Sequence, residues 1–104
     1  MSAIVTSPDD EDWYINNRGW SIIMERPMRD LDPAEREMFE NYAGPIGLNF
    51  RSVEPAERPL VARWLLRAVE ALAGPEAAEQ GWDSDESRAH LEEVAVMVRP
   101  IAQG

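Results

Sequence analysis

The stretch 57–73 constrains this chain most. Placed at about 100° per residue, Leu60, Val61, Trp64, Leu65, Ala68, Val69 and Leu72 cover roughly half the circumference of a helix, with Leu66 on the rim. Arg63, Arg67 and Glu70 share the narrow strip that remains. Gly74-Pro75 closes the segment. Pro59 fits only in the first turn, because deeper in a helix it would remove a backbone donor and clash with the preceding turn, so the regular helix begins near Glu57. A helix this apolar has to be central, with the other segments packed around it. The 104 residues have room for one domain, 1–104, which would remove roughly 65% of the unfolded surface from water.

Two further helices carry clear start signals. In Asp32-Pro33-Ala34-Glu35 the Asp can cap, Pro33 suits the first turn and Glu35 completes a capping box; Met38, Phe39 and Tyr42 then share a face up to Gly44-Pro45. Ile46, Leu48 and Phe50 alternate with Gly47, Asn49 and Arg51 as a short extended segment does. The last helix starts at Asp83 or Ser84, and Leu91, Val94, Met97, Val98 and Ile101 form its apolar face through Arg99-Pro100. The first segment is ambiguous. Ser7-Pro8-Asp9-Asp10 reads as a cap followed by an acidic first turn, which predicts a helix over 8–17 stopped at Gly19. The competing signal is a hairpin, in which Trp13 and Ile15 alternate, Asn16-Asn17-Arg18-Gly19 turns, and Trp20, Ile22 and Met24 alternate again. The capping signals favour the helix, and residues 1–6 are expected to be a flexible terminus. The predicted fold is mainly α, a small single-domain bundle of three to four helices with room for one short N-terminal hairpin or extended segment.

Charge and missing residue types narrow the chemistry. Twenty acidic residues face ten basic ones, all Arg, for a formal charge of −10. Without Lys there is no phosphate-gripping P-loop, no Schiff base and no Ser/Lys dyad; without Cys there is no disulfide, thiolate metal site or thiol nucleophile. The negative balance disfavours direct nucleic-acid binding and anionic membranes. The longest unbroken apolar run, Val94 to Val98, is far too short to cross a bilayer, and the N-terminal residues lack the pattern of a signal peptide. A soluble cytoplasmic protein is expected. Abundant Ala, Arg, Pro and Glu without Lys is typical of GC-rich coding sequence, which suggests a bacterial or phage source.

No motif points to catalysis. His90 lies on the apolar side of the last helix with Glu86 and Glu93 four and three residues away, but there is no second His, so neither a metal nor any other cofactor is expected. Asp83-Ser84-Asp85-Glu86-Ser87 opens like a calcium loop, yet Arg88 stands where the turn needs Gly and Val94 where closure needs Glu. Gly81-Trp82-Asp83-Ser84 resembles the start of the attachment site of acyl carrier proteins over four residues only, and Asp85 replaces the Leu of that pattern. No Ser lies in a Gly-rich elbow beside a base.

What stands out is aromatic residues beside acids. Asp9, Asp10, Glu11 and Asp12 run directly into Trp13-Tyr14, and Trp82 precedes Asp83, Asp85 and Glu86. Such clusters can form a partner surface, rings anchoring while acids meet Arg and Lys. The leading expectation is a non-catalytic inhibitor of immunity, antitoxin or anti-defence type that blocks a basic protein surface. The alternative is a homodimeric structural or regulatory subunit joined through Leu60, Trp64, Leu65 and Leu72 of the 57–73 helix. A third is a small-ligand carrier or minor enzyme with Tyr14, Tyr42 or His90 as polar handles.

Overall fold

A computed structural model describes residues 2–104 and contains four helices and a four-stranded mixed sheet. In chain order these are β1 (Ser2–Thr6), β2 (Asp12–Asn16), α1 (Asn17–Met28), α2 (Pro33–Tyr42), β3 (Ala43–Gly44), β4 (Gly47–Asn49), α3 (Arg58–Ala73) and α4 (Asp85–Gln103). The sheet order is β2-β1-β4-β3. β1 pairs antiparallel with β2, Val5 opposite Trp13, and parallel with β4, Val5 opposite Leu48. The chain is mainly helical, but its sheet is larger than the single hairpin expected.

The N-terminal half differs most from expectation. Residues 2–6, predicted to be flexible, form a central strand whose Ala3 and Val5 are buried, while Met1 lies outside the described residues. The helix predicted over 8–17 is absent. Ser7 does accept backbone hydrogen bonds, as a cap would, but its Oγ takes the amides of Asp9 and Glu11 (3.2 and 3.0 Å) in a turn closed by Ser7 N–H donating to the Glu11 carbonyl (2.8 Å). The hydroxyl's affinity for nearby amides serves turns as well as helix caps, which is why the local signal misleads. Asp10 sits at φ +70°, a conformation Asp tolerates and a helix does not contain. The 13–24 hairpin also fails: β2 pairs backwards with β1, and 20–24 is helical. Asn16-Asn17-Arg18-Gly19 begins α1 rather than ending a helix, with Asn16 Oδ1 accepting from Gly19 N–H at 2.7 Å.

The remaining elements follow the predicted chemistry. Asp32 and Glu35 form the reciprocal capping box, at 2.9 and 3.0 Å. Pro59 falls in the first turn of α3, and Val61, Trp64, Leu65, Ala68, Val69 and Leu72 are buried between α1 and α4. Ser84 caps α4 by accepting from Ser87 N–H. Arg63 Nε donates to the Ala102 carbonyl at 3.1 Å and ties the end of α4 to α3. The extended segment around 46–50 is realised over Gly47–Asn49 as β4, while Phe50 opens a short 3-10 turn; Leu48 and Phe50 are buried and Ile46 is exposed. Ala3, Val5, Trp13 and Leu48 face the core, while Ile4, Asp12, Tyr14 and Asn49 point outward.

Candidate partner-binding seam between β2 and α4

β2 is an outer strand of the sheet, so its free edge would offer unpaired backbone groups to any passing chain. α4 crosses that edge at His90 and covers its middle. The Tyr14 carbonyl points to His90 Nε2 at 2.7 Å; a carbonyl can only accept, so Nε2 carries the proton. In return the Trp13 indole Nε1 donates to the His90 carbonyl at 3.0 Å. The two rings stack with centroids 4.7 Å apart and planes inclined by 27°. His90 Nδ1 lies 3.4 Å from a Glu93 carboxylate oxygen. Among the described residues no group of three His, Cys, Asp or Glu side chains could hold a metal ion.

The Trp13–His90 crossover divides the seam, and a cleft opens at each end. Toward the β1–β2 turn a cleft of about 430 Å³ is lined by Pro8, Asp9 and Glu11, by Pro55, Arg58 and Pro59 at the start of α3, and by Glu93, Val96, Met97 and Ile101 of α4. Val96 is 58% exposed there. The Arg58 guanidinium is already engaged, donating to the carbonyls of Phe50, Val53 and Arg51 at 2.8, 3.1 and 3.3 Å. Asp9, Glu11 and Glu93 therefore rim apolar surface without an ion pair to Arg58, whose side chain is turned to backbone carbonyls. At the other end a cleft of about 470 Å³ lies between Asn16, Arg18 and Ile22 on one side and Trp82, Glu86 and Ser87 on the other. Arg18 makes that end mixed in charge.

The predicted site residues divide accordingly. Asp9 and Glu11 are exposed on the first cleft. Asp10 pairs with Arg51 at 2.7 Å, and Asp12 accepts from Thr6 Oγ1 at 2.8 Å on the outer face of the sheet. Trp13 is only 5% exposed, so it anchors α4 to the sheet and is no surface anchor for a partner. Trp82 is half-buried on the second cleft, with exposed Asp83, Asp85 and Glu86 beside it. The two clusters do not merge. They lie at opposite ends of the five-residue β2, whose ends are about 13 Å apart by strand rise. Comparisons with family models, curated proteins and solved structures find no match for this chain.

The face proposed for self-association is used within one copy: Trp64, Leu65 and Leu72 are buried and Leu60 is half-buried. α1 and α4 cover it. Tyr42 donates to Glu57 at 2.6 Å, and that hydrogen bond pushes its phenol above the usual range. Sequence reasoning missed Glu93, Val96 and Met97 as parts of the first cleft. A signal was present: the unbroken apolar run Val94–Val98 exceeds one helical stripe, so one of its members had to face outward.

Proposed function

We propose that this chain is a non-catalytic binding domain that captures a basic protein partner at the hairpin end of the β2–α4 seam. The supporting observation is the first cleft, where Asp9, Glu11 and Glu93 surround exposed Val96 and half-buried Met97 while the lining Arg58 is bound to backbone carbonyls. Apolar contact in the cleft would supply affinity, and the acids would steer Arg and Lys of the partner into register. A formal charge of −10 extends that attraction over the whole molecule and accelerates encounter. The finer reading is an inhibitor of immunity, antitoxin or anti-defence type, acting in the cytoplasm by covering a basic surface that handles nucleic acid.

The test is affinity capture from host extract in about 0.1 M and about 1 M salt, between which the Debye length falls from about 10 Å to about 3 Å. The expected result is one basic partner retained at low salt, and lost at high salt or with Asp9→Asn/Glu11→Gln. A complex indifferent to both salt and substitution would contradict the proposal.

A further inference from the structure

The outer face of the sheet carries most of the exposed large apolar side chains, and the seam does not use it. Four large apolar or aromatic side chains are exposed among the described residues, and three gather here: Ile4 (37%), Tyr14 (53%) and Ile46 (75%). Ile4 and Tyr14 are directly opposed across β1 and β2, and the same row of the sheet continues through Gly47 to Gly44. Beyond the Ile4 side chain that row carries no side chains, and a groove of about 480 Å³ opens, with Ile46, Tyr42 and Asn49 among its walls.

The two glycines are there for different reasons. At Gly47 (φ +132°) a Cβ would fall 1.9 Å from the Ile4 carbonyl oxygen, so β1 and β4 could not pair with any side chain at that position. At Gly44 a Cβ would meet nothing within 4 Å, and the fold makes no such demand. The open floor at Gly44 is available to an occupant. The charged residues of the groove are Asp12 on the β2 side and Glu40 on the β3 side, with no Arg among its lining. Asp12 is held in place by Thr6 Oγ1. A second copy of this chain would bring the same acids, and a further −10 of charge, against this rim.

We propose that the outer sheet face is a second docking surface, which takes an extended segment of a basic partner: small apolar side chains over the Gly44–Gly47 floor and flanking Arg or Lys on Asp12 and Glu40. The sheet spans about 14 Å across its four strands, the length of about four extended residues, so one short segment can reach both acids. This rests on the reading of the chain as a binder of basic protein, and it adds where the apolar part of such a partner lies.

The experiment uses two synthetic hexapeptides of equal charge, Arg-Arg-Leu-Ile-Arg-Arg and Arg-Arg-Gly-Gly-Arg-Arg, titrated into the full chain by fluorescence polarisation and by NMR. The Leu-Ile peptide is expected to bind roughly tenfold more tightly and to shift the resonances of Ile4, Tyr14 and Ile46. Gly44→Val, which fills the floor, and Ile46→Ser, which alters only an exposed side chain, should each remove most of that advantage while leaving the circular dichroism spectrum unchanged. Equal binding of both peptides, with shifts confined to Asp9, Glu11 and Glu93, would overturn this surface and leave the seam reading standing. Binding of neither peptide would overturn both. Sedimentation at twice the monomer mass without peptide, abolished by Ile46→Ser, would assign the face to a second copy and overturn the proposal.

Discussion

Trp13 shows how one side chain can carry both structure and a misleading signal. Beside four acids it looks like a partner anchor, but its ring is spent on the stack with His90 and its indole N–H on the His90 carbonyl. Local sequence cannot reveal this, because the partner lies 77 residues away. Trp13→Phe keeps an aromatic ring and removes the donor, so the His90 carbonyl is left with its helical hydrogen bond alone; urea unfolding should show a loss of about 1 kcal/mol. No loss would mean that water replaces the indole. Tyr42 offers a pH test. Its neutral phenol donates to Glu57, so folding raises its ionisation above the ordinary value of 10.0. The associated stability is fully present below that ordinary value and is lost as pH rises through the folded one. In a Tyr14→Phe background, where Tyr42 is the only tyrosine, phenolate absorbance should titrate above 10.0, and adding Glu57→Gln should bring the midpoint down. An unchanged midpoint would contradict the hydrogen bond.

At the level of elements, α2, α3 and α4 were legible because their signals are local, whereas α1 was not, its Asn16 cap reading as a hairpin turn or the end of a helix. A capping box at Asp32/Glu35, a Pro in the first turn of α3 and an apolar stripe every three or four residues in α4 each need only one short window of sequence. The sheet was not legible, for three physical reasons. β1 carries Ile4 outward between inward Ala3 and Val5, so its alternation of apolar and polar residues is blurred. β4 is three residues long and begins with a glycine. The pairing that joins them is parallel and spans some forty residues, a contact no local pattern encodes. Ser7 is the test of the β1–β2 turn. Removing its hydroxyl in Ser7→Ala takes the acceptor from two amides and should cost about 1–2 kcal/mol. Amide exchange should quicken at Val5 and Trp13 in the strands while α1 keeps its protection. Loss of protection in α1 alone would argue that the turn does not hold the hairpin.

For the molecule as a whole, folding separates what composition joins. The charge of −10 belongs to the entire chain, yet only part of it is free to act: Asp10 is paired with Arg51, Asp30 and Glu76 with Arg26, and Glu92 with Arg99. The hairpin turn retains Asp9 and Glu11 beside exposed Val96, and the start of α4 retains Asp83, Asp85 and Glu86. Sequence located both acidic clusters. It could not show that the aromatic beside the first is buried, that the clusters lie at opposite ends of one seam, or that α4 supplies the apolar surface between the acids, because each depends on α4 docking against β2. The seam proposal holds that free carboxylates steer a basic partner. Stopped-flow association rates with the captured partner, over a salt series, for the natural chain and for Asp9→Asn/Glu11→Gln, measure that steering. The rate should fall at least about tenfold between about 0.1 M and about 1 M salt, and the doubly substituted chain should start slower and respond less steeply. Rates independent of salt and identical for the two proteins would contradict the claim.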